Sequence, residues 1–374
     1  VKYGNIITER LEKIKLKDDE ETRKIIVKTC FNAKKKNNEV WGFWRLFASG
    51  NQAEARLTIF KSLLEKLKKE REGSEKIRII GIGRGGSILA GILSYYLGVP
   101  LSIIYFSQDI KPSLQEALVV VRPLPRQNEK VILIDELAVT GFASYMSYSA
   151  LKAHINEQNI KRYILLKGEP YLAVKEDKIP RLRELYRKYR EQIPEAQKLI
   201  SLYGEVNRED IEREGAGINK IIPSIPKHIK QNTTNRLQEL KKELIKQCKI
   251  KNTIYSWQIY NNIELFRKTV KYYCNFIYKE AKNTKTCTIF SSSIWILPLA
   301  ATISHLIDVP LVYLREIPCS INFRPDIHKI ETPNYWFFLD TVIKHGERIS
   351  FILNRIYKNK RKLIENTEKI YIIS

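Results

Sequence analysis

The chain has 374 residues, with 65 Lys+Arg against 41 Asp+Glu and a formal net charge of +24. That length suggests two domains, and a 44% hydrophobic fraction excludes wholesale disorder. The charge is a prior on anionic partners and is silent on chemistry. Five cysteines (Cys30, Cys248, Cys274, Cys287 and Cys319) form no CxxC pair and are followed by no zinc-spaced histidines, which argues against a zinc module or a disulfide framework. Free thiols in a reducing cytoplasm are the expectation. The N-terminal Val1-Lys-Tyr-Gly4 lacks a basic region before an apolar core, so no secretory signal is expected. The most apolar run, Ile289 to Ile307, is broken by serines, Pro298 and His305, and predicts a buried strand and helix and no membrane span.

Along the chain, residues 5–70 read as helical, with apolar residues at helical spacing in Ile6–Leu16 and Leu57–Leu67. A short strand is predicted from Ile77, followed by Gly83-Arg84-Gly85-Gly86 and an apolar helix ending at Leu97-Gly98. Val99–Tyr105 predicts a second buried strand. Residues 106–130 read as a loop, with a β-ribbon at Leu118–Arg122. Val131–Ile134 predicts a third strand, residues 144–154 a helix, and Arg162–Leu166 a fourth strand. This alternation predicts an α/β fold with a parallel sheet. Residues 178–222 read as charged helices, with Leu182, Leu185, Tyr186 and Tyr189 in one apolar stripe. Pro223, Pro226 and the polar stretch 231–235 predict a linker, followed by helices at 235–248 and 258–281.

An internal repeat then becomes visible. Ile79–Tyr105 lies on Ile289–Arg315 without a gap, pairing Leu89, Ala90, Ser94 and Val99-Pro-Leu101 with Leu299, Ala300, Ser304 and Val309-Pro-Leu311. Ile134-Asp135, separated from Gly141 by five residues, meets Leu339-Asp340, separated from Gly346 by five residues. The expected organisation is therefore a duplicated α/β domain with extra helical segments, divided into residues 1–225 and 226–374. The second copy is degenerate: Ser293-Ile-Trp-Ile296 replaces Gly83-Arg-Gly-Gly86, and Asp340-Thr341 with His345 replaces Asp135-Glu136 with Thr140. Lys344, His345 and Arg348 leave it a residual capacity for anions.

The most informative stretch is Val131-Ile-Leu-Ile-Asp135-Glu136-Leu-Ala138-Val139-Thr140-Gly141-Phe142-Ala143-Ser144. A buried strand delivers two acids to its C-terminal edge, where ligands of open α/β sheets bind. A loop of small residues opening a helix directs N–H groups at a phosphate. Two acids before such a loop suit the hydroxyls of an attached ribose. The stretch resembles the phosphoribosyl pyrophosphate (PRPP) motif of type I phosphoribosyltransferases, with Glu136 as the second acid and Ser144 in the last position. Gly83-Arg84-Gly85-Gly86 resembles that family's pyrophosphate loop. The resemblance covers roughly residues 75–170. Gly81, Gly83 and Gly86 also satisfy GxGxxG, but a dinucleotide reading leaves Asp135-Glu136 unexplained.

The resemblance implies a parallel-sheet phosphoribosyltransferase-like fold that binds PRPP with Mg²⁺, without direct side-chain ligation of the metal, and transfers ribose 5-phosphate to a nitrogenous base with release of pyrophosphate. Ala138–Ser144 would hold the 5′-phosphate, Asp135 and Glu136 the ribose, and Gly83, Arg84, Gly85 and Gly86 the pyrophosphate. Lys111, Arg122 and Arg126, in a loop that closes over the substrate, would reach the diphosphate. The alternative is a nucleic-acid-associated regulatory or defence effector, of the kind found in bacterial retron-type modules, that uses the fold to bind a nucleotide. Residues 226–374 carry 25 Lys+Arg and 12 Asp+Glu, a density that suggests an RNA or DNA partner. A homo-oligomer is also compatible with this reading, and a membrane partner is not expected.

Overall fold

The computed structural model describes residues 10–31, 42–71, 76–106, 119–138, 141–168, 198–217, 220–229, 237–250, 253–282, 284–291, 293–317, 320–324, 331–340, 352–354, 356–357, 361 and 364–373. It divides into two units. One comprises residues 15–43 and 58–218, the other residues 1–14, 44–57 and 219–374.

The first unit is built on a sheet of strands β1 (Ile77–Ile82), β2 (Leu101–Phe106), β3 (Val119–Arg122), β4 (Lys130–Ala138), β5 (Ile160–Gly168), β6 (Ile200–Ser201) and β7 (Glu205–Val206). Their spatial order is β3-β2-β1-β4-β5-β6, with β7 also pairing with β5. Every pairing is parallel except β2 with β3. Strand β1 is buried along its whole length, as expected for a central parallel strand covered on both faces. Helices α1 (Asp19–Cys30), α2 (Ala53–Arg71), α3 (Gly83–Leu97), α4 (Phe142–Lys152) and α5 (Arg208–Glu214) accompany the sheet, with α2 beginning in residues of the other unit. Ile80, Ile82, Ile104, Val131, Leu133, Tyr148 and Leu151 form one apolar core between sheet and helix. Helix α3 ends at Gly98, whose φ of 69° lets its N–H return to the Ser94 carbonyl.

The second unit contains α6 (Leu237–Cys248), a small hairpin of β8 (Lys249–Ile250) and β9 (Thr253–Ile254), α7 (Ile263–Glu280), β10 (Cys287–Ser291), α8 (Leu297–Ile307), β11 (Leu311–Ile317), β12 (Ser320–Arg324), β13 (Tyr335–Leu339) and β14 (Lys369–Ile373). Its sheet runs β12-β11-β10-β13-β14, parallel except for β11 with β12. This order repeats β3-β2-β1-β4-β5 of the first sheet, and so does the register. Ile79 lies opposite Leu101 and Ile132, and Ile289 lies opposite Leu311 and Phe337. Helix α8 ends at Asp308 in the same left-handed conformation as Gly98, with the same N–H return to a serine, Ser304. The second core is aromatic, with Phe290 stacked on Phe338 at 4.7 Å and tilted against Trp336 at 4.9 Å.

The expected α/β class with a parallel sheet is the fold found. Several local expectations are corrected. The helix expected over Ile6–Leu16 has ended by Ile14, and Leu16 is exposed. Residues 200–206 supply two short strands to the first sheet where helix was expected. The expected linker at 223–226 is anchored, because Ser224 and Cys287 exchange N–H···O=C bonds at 2.9 and 3.3 Å. The apolar stripe from Leu182 to Tyr189 and the segment with Lys344, His345 and Arg348 lie outside the described residues. Among the described residues, no helix is long and apolar enough to cross a membrane.

Candidate functional site

Strands β1 and β4 are parallel neighbours, and the chain leaves them in opposite directions across the sheet, toward β2 from one and β5 from the other. Such a reversal opens a crevice at the carboxyl ends of the strands, where open α/β sheets bind ligands. Each of these two strands leads into a helix at that edge. Gly83 opens α3 with φ of 61°, and Gly141 caps α4 with φ of 73°, conformations that favour glycine. Neither helix start receives a side-chain cap among the described residues. Two sets of backbone N–H groups are therefore left for a ligand or water, each reinforced by a helix dipole.

The glycines at the end of β1 and in the turn after it have steric causes. A Cβ on Gly81 would collide with the backbone of Gly86, and one on Gly86 would collide with the Ile134 carbonyl of β4. A Cβ on Gly85 would fall on the carboxylate of Glu136. The first turn of α3 thus lies directly on the C-terminal end of β4. Ser87 locks the turn by donating its hydroxyl to the Gly83 carbonyl. Arg84 is half-buried in the same turn.

Strand β4 extends beyond the expected Ile134 to Ala138, so Asp135 and Glu136 lie within the strand. Both are half-buried, and the Glu136 N–H donates to Asp135 Oδ1 at 2.9 Å. Burial, followed by the charge of Glu136, pushes the Asp135 carboxyl well above the usual carboxylate range. Glu136 Oε2 is buried without a hydrogen-bond partner. Two crowded carboxylates, one oxygen of them orphaned, gain from a positive neighbour, and hard oxygen donors suit Mg²⁺ carried on a ligand. Among the described residues, no cluster of three or more His, Cys, Asp or Glu forms a metal site.

Of the other expected site residues, Ala138 and Ser144 are buried, at the end of β4 and in the first turn of α4. Gly141 and Ala143 stand between them, and the helix begins at Phe142. Val139, Thr140 and Lys111 lie outside the described residues. Arg122 is exposed at the end of β3, two strands from β1, about 10 Å at ordinary strand spacing. Arg126 is exposed, and its N–H binds Glu129 Oε2 at 2.9 Å. The structure therefore brings the glycine turn, the acid pair and the α4 start to one sheet edge, and places Arg122 away from them.

Sequence reasoning missed the supports behind this edge. Arg78 is buried on β1 and binds Glu129 through Nε at 2.6 Å and Nη2 at 3.1 Å. It also donates to the Leu101 carbonyl and the Ser102 hydroxyl. Ser102 in turn donates to the Pro123 carbonyl at 2.7 Å. This bidentate pair ties β1, β2 and the segment before β4 together. An arginine inside an otherwise apolar strand was the available signal.

The corresponding edge of the second sheet is filled by its own chain. Ile294 and Ile296 are buried there. Tyr260 donates its hydroxyl to the Trp295 carbonyl at 2.6 Å, and the Trp295 N–H binds Ser293 Oγ at 3.2 Å. Asp340 is buried at the end of β13.

No family model matches the chain, and no curated protein matches it. Among solved structures, adenine phosphoribosyltransferase from Leishmania tarentolae is similar at 13% identity, over 52% of this chain and 91% of that one, with a TM-score of 0.34. APRTase from Giardia lamblia, complexed with 9-deazaadenine, is similar at 16% identity, over 43% and 83%, with a TM-score of 0.29. Orotate phosphoribosyltransferase from Aeropyrum pernix is similar at 18% identity, over 41% and 72%, with a TM-score of 0.26.

Proposed function

We propose that the first unit is a phosphoribosyltransferase that binds PRPP with Mg²⁺ and transfers ribose 5-phosphate to a nitrogenous acceptor. The observation that carries this reading is the pair of helix starts without side-chain caps, on adjacent strands, with Asp135-Glu136 between them. A ligand with a phosphate at one end, a ribose in the middle and a diphosphate at the other matches that order of groups. Gly141, Phe142, Ala143 and Ser144 would take the 5′-phosphate on backbone N–H groups, together with Ala138, Val139 and Thr140. Asp135 and Glu136 would accept the ribose hydroxyls and favour positive charge at C1′. Gly83, Arg84, Gly85 and Gly86 would take the diphosphate, Arg84 by charge-assisted hydrogen bonds. The C1′–O bond breaks with its electron pair leaving on pyrophosphate, and a nitrogen lone pair of the acceptor forms the new bond. Stabilising the departing charge with preorganised donors lowers the barrier. Mg²⁺, when bound, neutralises diphosphate charge. Lys111 and Arg122 would engage only if their segment closed over the ligand.

The second unit is proposed as a degenerate copy, supported by a strand order that matches β3-β2-β1-β4-β5 of the first sheet and by the filled edge at Ser293–Ile296. The test of the whole reading is pyrophosphate release from PRPP and Mg²⁺ across a panel of purine and pyrimidine bases. Stoichiometric release with at least one base is expected, and its absence across the panel in a folded sample contradicts transferase activity.

A second reading, a nucleic-acid-associated effector, is favoured by one feature. Lys241, Lys242 and Lys246 on α6 and Lys279 on α7 are exposed in the more basic unit. Binding of single-stranded DNA or RNA that weakens steeply with salt is its expected signature. Salt-independent binding, or none, counts against it.

A further inference from the structure

Glu136 makes a contact that its expected role does not require. Its carboxylate rests on Gly85, in the space that a side chain at that position would fill. Its Oε2 is buried there and meets no hydrogen-bond donor. A carboxylate is anionic, is similar in width to a phosphate, and here occupies the first turn of a helix start without a side-chain cap. It holds that position at a cost, because a buried acceptor without a donor forfeits its hydration. A group held in an unfavourable place is ready to move when something better is offered.

We propose that Glu136 is a gate on the Gly83–Gly86 turn, occupying the place of the ligand's diphosphate until ribose hydroxyls draw it away. The inference rests on the PRPP reading and adds an order to it. Glu136 lies two residues before the end of β4 at Ala138, and rotation of its side chain would carry the carboxylate from Gly85 toward a ribose held at that edge. Binding of the ribose thereby clears the diphosphate turn. A ligand with phosphates but no ribose gains nothing by displacing the carboxylate and is repelled by its charge. The gate selects a phosphorylated sugar over inorganic pyrophosphate, and with Glu136 still on the ribose it leaves room for the product pyrophosphate to depart.

The test is Glu136→Ala in the full chain, read by calorimetry against two probes: inorganic pyrophosphate without divalent cation, and PRPP with Mg²⁺. The expected result has opposite signs, with pyrophosphate binding about tenfold or more tighter and PRPP binding about tenfold weaker. A merely structural role would move both in the same direction. Glu136→Gln keeps the volume and removes the charge, so it should give an intermediate gain for pyrophosphate, and it carries the test if the alanine variant fails to fold. A folded variant that binds pyrophosphate no tighter than wild type overturns the gate, whatever PRPP does. A pyrophosphate gain with no PRPP binding by either protein keeps the gate and overturns the PRPP reading. PRPP binding by wild type without the pyrophosphate gain does the reverse.

Discussion

Replacing Asp308 with alanine is expected to lower the unfolding free energy of the second unit by about 3–5 kcal/mol. The Asp308 side chain is 3% exposed and accepts from Arg10 Nη2 at 2.7 Å, Arg56 Nη2 at 2.9 Å and Lys227 Nζ at 2.7 Å. Arg56 is fully buried and also donates to the carbonyls of Leu46 and Ser49. Without the carboxylate, its guanidinium stays in the interior with its charge unmatched, and that accounts for most of the loss. Alanine also fits poorly at the φ of 54° that Asp308 adopts at the end of α8, whereas asparagine tolerates it. Asp308→Asn therefore isolates the charge and should cost less. Urea unfolding followed by an aromatic signal of the second core reads both variants. A change below about 1 kcal/mol in the alanine variant would place the cluster among exposed ion pairs of little consequence.

The same cluster fixes the acid dependence of this unit. Burial alone would raise the Asp308 carboxyl, but Arg56, Lys227 and Arg10 outweigh it and hold it below the usual range. Its contribution is complete above the unfolded carboxylate pKa and is lost as pH falls through the lowered folded value. His305 acts earlier. Burial and Arg56 push its pKa down to about 3, so it stays neutral in the fold while an unfolded imidazole takes up a proton below about 6.5. The unit should lose stability progressively from about pH 6.5 toward 3.

Replacing Asp135 with asparagine should move activity and stability in opposite directions. Turnover of PRPP is expected to fall by about 10²–10³-fold, as when a group facing developing charge is neutralised. The melting temperature near neutral pH is expected to rise. The folded carboxyl titrates well above the usual range, owing to burial and Glu136. Between the unfolded and folded values the native state binds more protons, so wild-type stability falls as pH rises through that window. Asparagine removes this penalty. Calorimetric melts from pH 4 to 8 check it: a flatter profile for the variant supports the assignment, and parallel profiles refute it.

Much of the first sheet was legible because its strands are short apolar runs between glycines and because periodicity distinguishes them from helices. Val99-Pro-Leu101 and its echo Val309-Pro-Leu311 marked the same β2 and β11 starts, and the two registers agree residue for residue. The acid pair was legible as chemistry but misplaced by four residues relative to the strand end, since Asp135 and Glu136 interrupt the apolar run while β4 continues to Ala138. The short β6 and β7 escaped because two-residue strands carry no period, and charged sequence around them reads as helix. The contact of Glu136 with Gly85 and the pairing of Arg56 with Asp308 join residues far apart in the chain. Local pattern has no access to such distances. The glycines looked like a phosphate motif, but Gly81 is also required by close packing against the backbone of Gly86, and Gly86 by packing against the Ile134 carbonyl, so their presence alone does not distinguish the two roles.

The most direct measurement is a crystal structure of the full chain soaked with PRPP and Mg²⁺. One ligand should span the crevice, with its 5′-phosphate on the first turn of α4 from Gly141 to Ser144, its ribose on Asp135 and Glu136, and its diphosphate on Gly83–Gly86 with Glu136 displaced from Gly85. A ligand bound elsewhere, or one that leaves Glu136 against Gly85 while only its phosphate end is held, would contradict it.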